Sequence, residues 1–252
     1  GITAEISIRI NPDVDAKTHE KISTGKKENK FGIDLALARA IYARAAGLPG
    51  INVIGVAVHI GSQLTDLQPY KEAYARVVDF VGLLRADGIS IEHVDLGGGL
   101  GINYENELAL SPTTYAQMVA EVIGNLGVKL IFEPGRVIVG NAGVLIVQVL
   151  FVKEGVSKRF CIIDGAMNDL IRPTLYNAYH KIRPLSEVAN NTPNVIMDVV
   201  GPVCESGDFI AKDRRLPMFA AGDFLAIMTT GAYAAAMGST YNTRPLAPEV
   251  LV

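Results

Sequence analysis

Polar and apolar positions fall into short runs of period two, or unbroken apolar runs, set between longer stretches at helical spacing. Ala4–Ile10 (AEISIRI) alternates and predicts a strand. Asp34–Ala46 predicts an amphipathic helix with its first Asp placed to cap it. Val53–Ile60 (VIGVAVHI) is almost continuously apolar, as a strand buried on both faces would be. Leu67–Ala86 predicts a long helix with Tyr70, Tyr74, Val77, Val78 and Val81 at helical spacing. His93–Leu96 predicts a short strand running into Gly97-Gly98-Gly99. A helix from Pro112 to Gly124 or Gly127 follows, then a strand over Lys129–Phe132 stopped by Pro134-Gly135. Strands alternating with helices of this length predict βαβ units and a parallel sheet.

The pattern changes after Gly140. Val144–Val152, Arg159–Ile163, Val195–Val200 and Phe224–Thr229 predict strands with no obvious helices between them, separated by turn residues. Two domains follow, 1–139 as α/β and 140–252 as mostly β. Four strands in the first domain make either half of a (β/α)8 barrel or a small open sheet. Hydrophobic residues at 49% exclude disorder, and 23 basic against 26 acidic side chains exclude a nucleic-acid partner held by bulk charge. No apolar run reaches the roughly 18 residues of a membrane span; Val137–Val152 is interrupted by Gly140, Asn141, Gly143 and Gln148. Only Cys161 and Cys204 are present, which predicts a reducing cytoplasm rather than a disulfide scaffold. The chain opens in a strand without an initiator Met, which predicts a processed or partial polypeptide.

Three strand ends carry polar or glycine-rich residues: His59-Ile-Gly-Ser62-Gln63, Asp95-Leu-Gly97-Gly98-Gly99-Leu-Gly101 and Glu133-Pro-Gly135-Arg136. In parallel α/β architectures such ends build the active site. The triple glycine is either a tight turn or an anion cradle, and Ser62 and Arg136 on neighbouring ends favour a phosphate. Glu133 caps its loop, pairs with Arg136, or holds a protonated ring nitrogen. His59 is either a satisfied core histidine or a ring facing a ligand. In the second domain Arg172 offers a planar fork suited to a carboxylate, with Tyr176 four residues on. Gly201-Pro-Val-Cys204-Glu205-Ser206-Gly-Asp208 gathers a thiol, two carboxylates and a hydroxyl between glycines. Cys204 there is a nucleophile, a proton donor or an inert buried thiol. Tyr233 either reaches an anion or packs.

Eight motifs, in order, carry a resemblance that spans essentially the whole chain: THEKIST at 18–24, KFG at 30–32, HIGSQ at 59–63, DLGGGLG at 95–101, EPGR at 133–136, RPTLY at 172–176, CESGD at 204–208 and YN at 241–242. Together they resemble the fold-type III pyridoxal-phosphate decarboxylases, in particular the branch acting on diaminopimelate at the end of lysine biosynthesis. CESGD separates that branch from the ornithine and arginine decarboxylases.

The resemblance implies the C-terminal half of a pyridoxal 5'-phosphate-binding (β/α)8 (TIM) barrel followed by a mostly β, Greek-key or barrel-like domain. It implies that His59 stacks on the cofactor ring and that Ser62, Gly97, Gly98, Gly99, Gly135, Arg136 and Tyr233 hold the cofactor's phosphate end. Glu133 would face the pyridine nitrogen. Arg136, Arg172, Tyr176, Glu205, Ser206 and Tyr233 would bind the amino-acid substrate, with Glu205 reading its ammonium. Cys204, with His59 the catalytic pair, would reprotonate the carbanion as meso-2,6-diaminopimelate becomes L-lysine and CO2. A homodimer with composite sites is implied. Alternatives are an ornithine- or arginine-type decarboxylase, an amino-acid racemase, or a chain that binds the cofactor and catalyses nothing. Glu133 argues against the racemase, where an Arg at that place would quench the carbanion. The family's Schiff-base Lys lies in a Tyr-Ala-x-Lys segment. Here Tyr-Ala occurs at 42–43, 74–75, 115–116 and 233–234, never with Lys two positions later. The expectation is a chain that starts about halfway round the barrel and is inactive alone.

Overall fold

Parallel pairing joins the strands of the first region, as their alternation with helices predicts. The computed structural model describes residues 1–16, 25, 30–186 and 192–252. The motif at 18–24 lies outside the described residues. The chain divides into two units, residues 1–103 with 107–137 and residues 104–106 with 138–252.

In the first unit β1 (Ala4–Asn11), β2 (Ile33–Asp34), β3 (Ile51–Ala57), β4 (His93–Asp95) and β5 (Lys129–Ile131) form one open sheet in the order β2-β1-β3-β4-β5. Every neighbouring pair is parallel. β2 brings the strand count to five rather than four; at two residues it is too short to show a period. Helices α1 (Leu35–Ala46), α2 (Gln68–Ala86) and α3 (Pro112–Ile123) connect the strands. Asp34 caps α1 by accepting from the Ala36 amide at 2.8 Å, and Ser111 caps α3 by accepting from Thr114 at 3.0 Å. The apolar stripe of α2 (Tyr70, Tyr74, Val77, Val81, Leu84) is fully buried against Val56, Val94 and Leu96. The buried Tyr42 hydroxyl stands close to two carbonyls, those of Ile8 (3.0 Å) and Gly55 (2.9 Å), and fastens α1 to the sheet. Three of the predicted strands overrun the ladder at their C-terminal ends. Val58–Ile60, Leu96 and Phe132 lie past the last paired residue, which puts His59 and the residues after it at the sheet's rim.

α4 (Arg136–Val139) begins in the first unit and ends in the second, which holds a sheet of β6 (Val144–Glu154), β7 (Arg159–Ile163), β8 (Ile182–Pro184), β9 (Asn194–Val200), β10 (Phe209–Pro217) and β11 (Phe224–Met228). The order is β10-β9-β7-β6-β11-β8, antiparallel except for β7 with β9. Val147, Val149, Cys161, Ile163, Met197, Val199, Leu225 and Ile227 form its core. Contrary to the expectation of strands alone, a five-residue helix, α5 (Arg172–Tyr176), follows β7; it is too short to establish helical spacing. β10 escaped prediction because Lys212, Asp213, Arg214 and Arg215 interrupt its apolar positions. It is an edge strand, where such charges discourage pairing with other chains. Among the described residues no helix is long and apolar enough to cross a membrane.

Candidate active site

Three connections at the C-terminal rim of the first sheet are drawn together by backbone contacts that only glycine permits. A Cβ on Gly97 would strike the Val58 carbonyl and His59, one on Gly98 would strike the Glu133 carbonyl, and one on Gly99 would strike the Gly61 carbonyl. Gly97 and Gly99 also have φ of +67° and +99°, open to glycine at little cost. The Glu133 amide donates to the Gly97 carbonyl at 2.9 Å, and the Leu64 amide to the Gly99 carbonyl at 2.9 Å. Gln63, at φ +61°, reads the backbone of Ile102 with both ends of its amide, donating to the carbonyl (2.6 Å) and accepting from the N–H (3.2 Å).

The three glycine amides are not equivalent. Gly97 donates to Asp95 Oδ1 at 2.9 Å and Gly98 to His59 Nδ1 at 3.1 Å. The second bond fixes the His59 tautomer, with the lone pair on Nδ1 and the proton of the neutral ring on Nε2. Burial, and next the charge of Arg9, hold the His59 pKa below its ordinary value against a weaker pull from Asp95. The ring is therefore neutral at pH 7. Arg136 is buried at the start of α4, and its Nη2 donates to Ser62 Oγ at 3.1 Å. Glu133 and Gly135 are exposed beside it.

Behind the turn stands a phenol cluster. Tyr74 hydrogen-bonds to the Leu96 carbonyl (3.2 Å) and to the Tyr115 hydroxyl (2.6 Å), and Tyr70 reaches the Gly98 carbonyl at 3.4 Å. These contacts hold the carbonyl side of the turn. An apolar cavity of about 270 Å³, lined by Gly97, Gly98, Tyr115, Phe132 and Pro134 among others, opens against the same turn; it carries no charged group.

Sequence reasoning passed over Arg9. Its Nη2 donates to the His59 carbonyl at 3.1 Å, its guanidinium lies 5.1 Å from the Phe31 ring centroid, and it feels the charges of Glu133 and Asp95. The signal was there: a lone cation near the C-terminal end of a strand, on the side opposite Ile6, Ile8 and Ile10.

In the second unit Arg172 is buried, stacks 4.2 Å from the Tyr104 ring centroid and contacts His180 Nε2 at 2.7 Å. A guanidinium only donates, so Nε2 accepts and Nδ1–H donates to the Met228 carbonyl at 2.9 Å. His180 and Tyr104 thus orient Arg172, and neither was marked by its motif. Tyr176 is half-buried at the other end of α5. Cys204, Glu205 and Ser206 are exposed on one loop between buried Val203 and Asp208, and Thr174 of α5 donates to the Gly207 carbonyl in that loop. The Tyr241 hydroxyl meets the Glu205 carboxylate, an interaction that raises the Tyr241 pKa. Cys161, by contrast, is buried and its thiol is pushed up to about 12. Tyr233 is partly exposed with φ of +58°.

Residues 2–140 match a protein family described as pyridoxal-dependent decarboxylase, pyridoxal binding domain. Over its whole length the chain is 53% identical to diaminopimelate decarboxylase of Neisseria meningitidis serogroup A and 47% identical to that of Aquifex aeolicus, covering 61% and 60% of those proteins. It thus spans about 60% of the length of the curated relatives it matches. The crystal structure of diaminopimelate decarboxylase from Helicobacter pylori complexed with L-lysine superposes with a TM-score of 0.92 at 46% identity, covering 98% of this chain and 61% of that one. Lysine decarboxylase from Selenomonas ruminantium shares the fold at 20% identity, with a TM-score of 0.85 over 99% of this chain and 64% of that one.

Proposed function

Because the chain belongs to the pyridoxal-dependent decarboxylase family, we propose that the enzyme of which it forms part removes CO2 from meso-2,6-diaminopimelate to give L-lysine. The observation that carries the reading is the meeting, at one sheet rim, of a neutral imidazole, a triglycine turn, the Ser62–Arg136 pair and the Glu133 carboxylate.

That donor set fits pyridoxal 5'-phosphate. When bound, the cofactor supplies a protonated ring that accepts the electron pair left as CO2 departs. The flush turn lets an anion approach main chain, and Arg136 with Ser62 offers a charge-assisted cradle for it. With the Gly97 and Gly98 amides engaged, Gly99 and Gly135 are the glycines whose amides would serve the phosphate, aided by Tyr233. Glu133 would keep the proton on the ring nitrogen, and neutral His59 would present its flat face to the ring. In the second unit Arg172, held by His180 and Tyr104, would bind the remote carboxylate of the substrate. Tyr176, Ser206 and Glu205 would complete recognition, Glu205 pairing with the distal ammonium. Cys204, exposed on its loop, would return the proton at the carbon that lost CO2. A homodimer with composite sites belongs to this reading, as does a cytoplasmic setting, which the two free thiols suit.

The test is CO2 release by the full-length protein from meso-2,6-diaminopimelate, ornithine and arginine measured side by side. Turnover of diaminopimelate well above the other two is expected. Equal or faster release from ornithine or arginine would overturn the substrate assignment, and no release from any of them by cofactor-loaded protein would overturn the activity. These 252 residues alone are expected to turn over nothing, since no Tyr-Ala in them precedes the family's lysine.

A further inference from the structure

Cys204, Glu205 and Ser206 are exposed, so the bonds at either end of their loop carry much of its orientation. We propose that Asp208 and Asn168 are positioning residues that hold the Cys204 loop and the Tyr241 phenol in one fixed arrangement; the inference rests on the reading of Cys204 as proton donor.

Asp208 is 3% exposed. Its Oδ2 accepts from the Val203 amide at 2.7 Å and its Oδ1 from the Met167 amide at 2.6 Å. Its main-chain carbonyl accepts from Gly201 at 3.1 Å, and its own amide donates to the Glu205 carbonyl at 3.1 Å. One residue thereby closes the loop at both ends. Gly201 has to be glycine, because a Cβ there would strike the Asp208 carboxylate. Asn168 follows Met167 directly. Its Nδ2 donates to the Ser239 carbonyl at 3.0 Å and the Tyr241 carbonyl at 2.8 Å, while its main-chain carbonyl accepts from Ser239 at 3.1 Å. The Glu205 carboxylate raises the pKa of the Tyr241 phenol. Hydrogen bonds thus link Val203 through Asp208 and Met167 to Asn168 and on to Tyr241, whose phenol feels the Glu205 carboxylate. Arg244 braces this linkage from outside, with Asp169 at 3.7 Å and the Asp164 carbonyl. A thiol that must meet one carbon on one face depends on such bracing, since a misplacement of about 1 Å costs about 100-fold in rate.

Asp208→Asn keeps the shape but turns one acceptor into a donor facing an amide; Asn168→Ala removes both side-chain bonds without adding charge. In the full-length holoenzyme the pH profile of iodoacetamide labelling at Cys204 is followed by peptide mass, with Cys161 as the internal marker of unfolding. Each variant is expected to change the Cys204 rate by about fivefold, the effect of one net hydrogen bond, and to shift its pH profile while Cys161 stays unlabelled. The value of kcat should fall much more than KM rises. A Cys204 rate and profile within about twofold of the native ones would overturn the proposal, as would equal labelling of Cys161 and Cys204, which marks a merely structural role. Retention of full kcat by Cys204→Ser would sink the proton-donor reading separately and leave the labelling result to judge the bracing.

Discussion

Acidification should loosen cofactor binding through one nitrogen atom. His59 Nδ1 accepts the Gly98 amide at 3.1 Å, and burial and Arg9 hold the ring's pKa below its ordinary value. The unfolded imidazole titrates near pH 6.5. The folded ring therefore stays neutral as pH falls past that point, and takes up a proton only lower down. The bond is fully present above the depressed pKa and lost as pH falls through it. Protonating Nδ1 exchanges an acceptor for a donor pointing at another donor. That forfeits a net hydrogen bond and strands a half-buried amide, about 2 kcal/mol together. At 1.4 kcal/mol per tenfold, cofactor affinity drops about 30-fold if the turn must keep this shape to bind. Equilibrium dialysis of pyridoxal 5'-phosphate against the full-length protein from pH 8 to 5, native and His59→Phe, measures it. Phenylalanine keeps a ring for stacking and has no nitrogen to titrate. The phosphate's own ionisation near pH 6 affects both proteins alike, so the difference between the curves is the readout. Parallel curves would refute the reasoning. Folding stability has the same sign: the unfolded chain binds the proton first, so this group makes the protein less stable as pH falls below about 6.5.

Three further outcomes are expected. Tyr74→Phe should lower the urea midpoint by the equivalent of about 2 kcal/mol, because it leaves both the Leu96 carbonyl and the Tyr115 hydroxyl unpaired; Tyr115→Phe, which spares the Leu96 bond, should cost about half as much. Gly98→Ala should weaken cofactor binding by about tenfold or more while the circular dichroism spectrum is retained, because the added methyl pushes the turn off the Glu133 carbonyl. Lys158→Met should move the thermal midpoint little, although the ammonium sits 2.9 Å from Asp198 and 3.1 Å from Asp213, since its exposed side chain lets water screen both pairs.

What the sequence discloses of this site follows the range of the interactions. His59, the glycines and Arg136 are legible because each lies within a few residues of a strand, and apolar periodicity finds strands without any tertiary information. Arg9 is not, because its meaning depends on His59, fifty positions away, and on Asp95 and Glu133 beyond it. Arg172 stands out in the sequence as a planar fork, but the buried His180 that contacts it sits in a loop with no period to mark it. α5 and β2 fail for want of length, and β10 because four charges in a row hide an edge strand. The most instructive case is the triglycine turn. Its composition suggests three amides facing an anion, whereas the backbone turns one to Asp95 and one to His59. Composition records which conformations a segment can reach; the neighbours it closes upon decide which one it takes. Those neighbours are set by the parallel register of β3, β4 and β5, and a single chain's sequence does not state that register. On the proposed reading a phosphate would therefore depend more on Arg136, Ser62 and the Gly99 and Gly135 amides than the motif suggests, and the two engaged amides hold His59 and Asp95 at the rim instead.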